Sequence, residues 1–228
     1  MSEITVTINS PTPDFLYKII NTIAGTTPQI SRLSRVVLYD GQTERDSTTS
    51  LAFSIVDNML RISCSITGSG NYTTQSIRIY DDNNTLSFEK SILTNIESGK
   101  TYTVIIYITL TYSYDMNMVF YMREFRNILY NVLAGQKQPS KLTPNKVGFV
   151  VYIYEENYSA TYYVNTELYK QSETQALVRA TITLSPGVCI EGFIIANEDY
   201  IPLYDYMNRE CIDITRQTQV TYSETINV

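Results

Sequence analysis

The 228-residue chain has no histidine and no tryptophan. Without histidine, neither a Ser-His nor a Cys-His nucleophile pair can be built, and a zinc site loses its usual nitrogen ligand. Without tryptophan, the Cys…Trp…Cys signature of immunoglobulin domains is missing. Charge is scarce too: 18% of residues are charged, against roughly 25% in ordinary soluble domains. Lys and Arg number 17 against 23 Asp and Glu, a net charge of −6. No basic block interleaves with aromatics, so the footprint needed for direct nucleic-acid binding is lacking. No run reaches the about 18 apolar residues that span a bilayer. The longest, Val104 to Ile108, lies inside an alternating Thr/Tyr segment, so no transmembrane segment is expected. Met1 to Ile8 reads as a strand, not as the charged head and apolar run of a leader. Cysteine is limited to Cys64, Cys189 and Cys211, with no CxxC pair. Cys64 falls at an apolar position of an alternating segment and reads as a buried thiol. Cys189 and Cys211 could pair or stay reduced.

What is present is tyrosine, 20 of it, in a chain that is 43% hydrophobic. Tyr, Thr and Ile favour half-buried pleated surfaces. Period-two alternation recurs: Ile4, Val6 and Ile8 with Thr5 and Thr7; Leu60, Ile62, Cys64 and Ile66 with Arg61, Ser63 and Ser65; Val178, Ala180, Ile182 and Leu184 with Arg179, Thr181 and Thr183. A long strand is expected from Thr101 to Ser113, a polar loop from Asp40 to Thr49, and a hairpin from Lys146 to Val164 around a Glu155-Glu156-Asn157 turn. Only two segments carry helical spacing. In the first, Thr12 caps, Pro13 opens the first turn, and Leu16, Ile19, Ile20 and Ile23 form a stripe closed by Gly25. In the second, the stripe is Phe125, Ile128, Leu129, Val132 and Leu133, closed by Gly135.

The two helical segments echo each other: each has Phe near its start, Asn at one internal position and Ala-Gly at its end. Leu60 to Thr67 aligns with Val178 to Ser185, and Ile77 to Asn83 with Phe193 to Asp199. An internal duplication is expected. The fold class is all-β: two tandem jelly-roll-like β-sandwiches, each with one short amphipathic helix after its first strand. The expected domains are 1–113, with its helix at 13–25, and 114–228, with its helix at 117–135.

Each candidate site has an ordinary competitor. Asp81-Asp82-Asn83-Asn84 is the densest oxygen cluster, but it lacks the glycine that a calcium loop needs for its sharp bend and reads as a hairpin turn. Gly68-Ser69-Gly70 lacks the Lys and helix of a phosphate loop. No catalytic, cofactor-binding or metal residue is therefore expected, no cofactor is implied, and the chain is not read as an enzyme. Asn71, Asn83 and Asn157 head N-x-[ST] triplets at expected turns and are candidate glycosylation sites. Tyr152, Tyr154, Tyr158, Tyr162 and Tyr163 cluster in one hairpin. They serve either cross-strand packing or an interface, since tyrosine combines contact area with a hydrogen-bonding tip.

Hydroxyl-rich segments such as Ser76 to Leu86 and Gly99 to Ile108 resemble those of structural proteins from viruses of hot-acid archaea. The two-jelly-roll design is similar to the capsid, penton and turret proteins of turreted icosahedral archaeal viruses, of the Sulfolobus turreted icosahedral virus kind. The resemblance implies a virion structural protein, made in the host cytoplasm and placed in the capsid. It would act by self-assembly as a homo-oligomer, expected to be a pentamer, with other capsid proteins as partners. Main shell proteins of that lineage continue into a membrane-anchoring helix. The polar ending Glu224 to Val228 departs from this and favours a penton, vertex or turret role. The alternative is a carbohydrate-binding or host-attachment β-sandwich module.

Overall fold

The computed structural model describes residues 2–110 and 123–227. Among them are fifteen strands and two α-helices, so the all-β expectation holds. The chain groups into two compact units. Unit 1 takes the described residues of Met1–Lys18, Gln29–Ser113 and Leu129–Gln138; unit 2 takes those of Ile19–Pro28, Tyr114–Ile128 and Pro139–Val228. This division departs from a single cut after residue 113 in two segments: 19–28 groups with unit 2, and 129–138 with unit 1.

Unit 1 holds β1 (Ser2–Ile8), β2 (Leu33–Asp40), β3 (Thr43–Thr48), β4 (Ala52–Val56), β5 (Met59–Thr67), β6 (Tyr72–Asp81), β7 (Leu86–Ile96) and β8 (Thr101–Ile108). They form two four-stranded sheets, ordered β1-β8-β5-β4 and β3-β2-β6-β7. A jelly roll is antiparallel throughout, whereas β1 runs parallel to β8. The alternation read from the sequence decides which face is buried. Ile4, Val6 and Ile8, then Leu60, Ile62 and Ile66, then Val104, Ile106 and Ile108 all point into the core of one sheet. Val36, Leu38, Ile77, Ile79 and Phe88 do so from the other.

Unit 2 holds β9 (Lys146–Ile153), β10 (Tyr158–Asn165), β11 (Glu167–Lys170), β12 (Gln175–Leu184), β13 (Val188–Ala196), β14 (Pro202–Ile214) and β15 (Thr218–Asn227). Its sheets run β10-β9-β13-β14 and β11-β12-β15. The first repeats β3-β2-β6-β7 strand for strand, and the second repeats β4-β5-β8. Positions 111–113 of the long strand expected from Thr101, and the start of the helix expected at 117–135, lie outside the described residues; the described part of that strand is β8, which ends at Ile108.

The two helices are α1 (Pro13–Ile23) and α2 (Arg123–Leu133). Their ends are the same Schellman cap. Thr26 N donates to Asn21 O and Gln136 N to Asn131 O, while Gly25 and Gly135 take φ of 68° and 74°. A side chain there would be strained. At the start of α1, the Thr12 hydroxyl accepts from Phe15 N at 3.3 Å, as a cap should. The single-stripe expectation for α1 needs correction: Lys18, Asn21 and Thr22 are buried along with Ile19, Ile20 and Ile23, while Leu16 is only half-buried. Each polar residue is matched to a polar partner. Lys18 Nζ meets Asp81 at 2.5 Å, Asn21 Nδ2 donates to Pro28 O, and Thr22 O accepts from the Thr143 hydroxyl.

Three strands escape a pattern reading. The expected polar loop at Asp40 to Thr49 contains β3, whose Glu44, Arg45 and Asp46 hide an edge strand. β11 has only four residues, and β14 carries polar residues on a sheet edge. Period-two hydrophobicity marks strands with one buried face and one wet face; edge strands need not show it.

Candidate functional site

The five hairpin tyrosines occupy β9, β10 and the turn between them. The register pairs Tyr158 with Ile153, Tyr162 with Phe149, Tyr163 with Gly148, and Tyr152 with Ser159. Phe149 and Val151 are fully buried, so Tyr158 and Tyr162 lie on the core-facing side of the sheet. There they reach past its rim and stay 48% and 44% exposed. Tyr152 and Tyr163 lie on the opposite face. The sequence cluster is thus two groups. Tyr152 and Tyr154 meet edge to face at 5.5 Å, with their hydroxyls donating to Asn157 and Asp213 respectively. The acceptor Asp213 pushes the Tyr154 hydroxyl above its ordinary range, and Glu156 does the same for Tyr158. Tyr163 contacts Tyr200 at 5.0 Å, and Lys146 sits over the Tyr200 ring. Gly148 makes this possible: a Cβ there would come within 2.7 Å of the Tyr163 ring. Tyr200, Lys146 and Gly148 carried no signal in the sequence, because only the register joins them to Tyr163.

β10 is the outermost strand of its sheet. It carries no charged residue, and no bulge interrupts its pairing with β9. In unit 1, β4 is likewise outermost, bulge-free and uncharged, with Ile55 43% and Val56 39% exposed. Beside it, Phe53, Ser54, Ile55, Leu60, Ala134 and Gln136 line a cavity of about 160 Å³. A second, open cleft of about 350 Å³ lies at the start of β4, beside β5. Its lining combines Ser50, Ser63, Ser65 and Thr103 with Leu51, Ala52 and Cys64.

The Asp81 cluster has a structural task. Its carboxylate accepts from Asn83 N and Thr85 N and from Lys18 Nζ. Unit 2 repeats the turn with a neutral residue: Asn197 Oδ1 accepts from Asp199 N and Ile201 N. Among the described residues, no group of three or more His, Cys, Asp or Glu side chains is placed to hold a metal. Asn71, Asn83 and Asn157 are all exposed at turns. The Asn71 and Asn157 side-chain oxygens accept from Ser98 N and the Tyr152 hydroxyl, while Asn83 Nδ2 donates to Ser31. Cys189 and Cys211 form a disulfide between β13 and β14, with Cα atoms 5.6 Å apart. Cys64 is free and buried, and burial pushes its thiol up to about 11.

No protein-family profile, curated protein or solved structure matches the chain. No helix among the described residues is long and apolar enough to cross a membrane.

Proposed function

We propose that the chain is a virion structural protein, a penton, vertex or turret component of an icosahedral capsid, which works by self-assembly rather than catalysis. One observation carries this reading: β10 ends its sheet as an uncharged, regular edge bearing two half-exposed tyrosines. Folded monomers blunt such edges with charge, proline, bulges or brevity, because an open edge recruits another strand. Tyrosine is among the residues enriched where proteins meet. The repeated strand order supplies each unit with a sheet framework that holds contact surfaces, and the resemblance to turreted archaeal viruses supplies the particle. Electron microscopy of the purified chain tests it. Closed rings of one rotational symmetry are expected, five-fold on this reading, and a monodisperse monomer at every concentration contradicts it.

The open cleft whose lining includes Ser50, Ser63, Ser65 and Thr103 favours a second reading, a carbohydrate-binding or attachment module. Specific sugar binding by the isolated monomer on a glycan array would support it over the first.

A further inference from the structure

The two units share one strand order, so the outer strands β3, β4 and β7 each have an outer equivalent in unit 2. β3 corresponds to β10, and β4 to β11. The equivalents are protected in opposite ways. In unit 1, β3 carries Glu44, Arg45 and Asp46, and its pairing with β2 is broken by a bulge. Its counterpart β10 has neither charge nor bulge. In unit 2, β11 is cut to four residues and begins and ends on Glu167 and Lys170. Its counterpart β4 has five residues, Ala-Phe-Ser-Ile-Val, with no charge, proline or bulge. The remaining outer strands carry protection as well. β1 holds Glu3. β7 holds Glu89 and Lys90 and two register shifts. β14 holds Pro202 and Asp205 and is also irregular. β15 holds Glu224. Among the described strands, β4 and β10 alone are bare, one in each unit.

A contact of a surface with its own copy about a two-fold axis needs a single bare edge; a head-to-tail contact needs two different ones. We infer that β4 of one copy pairs with β10 of the next. This rests on the self-assembly reading and gives it a specific seam. In a chain of net charge −6, the seam brings together two strands without charged residues, whereas β3, β7 and β11 would each carry charged side chains into the contact, where charge is depleted. The aromatics fit it as well. Tyr158 and Tyr162 overhang the rim of β10 on its core-facing side, and β4 is flanked by a cavity of about 160 Å³ lined by Phe53, Ile55 and Leu60. An aromatic anchor in such a pocket is the usual centre of an interface.

Sedimentation velocity on the full chain tests the seam with two variants, Ile55→Lys on β4 and Tyr162→Lys on β10. Both sites are more than two-fifths exposed, so the folded monomer tolerates them; circular dichroism and the conservative variants Ile55→Val and Tyr162→Phe check this. Wild type and the conservative variants are expected to assemble. Each lysine variant alone is expected to weaken assembly at least ten-fold in concentration. Mixed together, the two lysine variants are expected to form a one-to-one dimer and nothing larger, since each still carries the bare edge the other has lost. If either lysine variant assembles like wild type, or if the mixture stays monomeric, the β4–β10 seam is wrong while self-assembly stands. If wild type itself never assembles, the underlying reading fails instead.

Discussion

At the scale of single residues, the Lys18–Asp81 pair is the most consequential. Both side chains are buried, at 6% and 0% exposure. Removing one partner from a buried pair strands the other charge and costs about 3 kcal/mol or more. Unit 2 builds the same turn on neutral Asn197, so the carboxylate is needed for Lys18 and not for the turn. Asp81→Asn is therefore expected to destabilise unit 1 by about 3 kcal/mol in urea melts, and Lys18→Met with Asp81→Asn to recover most of that loss. The Asp81 cluster was visible in the sequence as a turn. Its partner was not, because Lys18 sits 63 positions away on a helix read as having one wet face. Thiol chemistry gives a second check. The native chain should react slowly with a disulfide reagent at mildly alkaline pH, since the Cys64 thiol is held at about 11. Unfolding without reductant should release one thiol, and reduction three. Two fast native thiols would refute the Cys189–Cys211 bond. Tyrosine supplies a pH dependence. Burial, and then the Tyr39 hydroxyl at 3.0 Å, raise Tyr80 from 10.0 to about 12. The fold keeps this phenol protonated where the unfolded chain would lose the proton. The associated stability is present below pH 10.0 and is lost as pH rises through about 12. A phenolate absorbance titration should show a late-ionising class, and Tyr39→Phe should shift part of it downward.

At the scale of elements, the helices and the central strands were legible because one interaction dominates each. The stripe Phe125, Ile128, Leu129, Val132 and Leu133 is buried as its spacing implies, and both Ala-Gly ends form the expected caps. Tyr130 was missed: its position suggests the wet face, yet it is buried and its hydroxyl accepts from Leu110 N. The edge strands β3, β11 and β14 stayed hidden because protecting an edge means replacing the hydrophobic alternation with charge, proline or brevity. The interface candidates suffered a related ambiguity. Five nearby tyrosines look like one patch until the register puts them on two faces, with Tyr163 lying over Gly148. Gly148→Ala should displace that ring, destabilise unit 2 by about 2 kcal/mol and leave Tyr158 and Tyr162 in place. The Cys189–Cys211 bond closes a 22-residue separation between β13 and β14. Reduction is expected to lower unit 2 stability by roughly 3 kcal/mol, seen as an earlier denaturant midpoint for that unit alone.

At the scale of the whole molecule, duplication is the feature that organises the rest. One strand order is used twice, with the same helix caps and the same five-residue turn, while the protection of the edges is exchanged between the copies. That pattern is what a chain needs if it builds by joining one repeat to the other repeat of its neighbour. On the self-assembly reading proposed above, the protein's work is shape and contact. Mass photometry of the wild-type chain over a wide concentration range probes this most directly. The 26.1 kDa monomer is expected to give way to one closed species at an integer multiple of that mass. A monomer peak that persists unchanged at every concentration would contradict it.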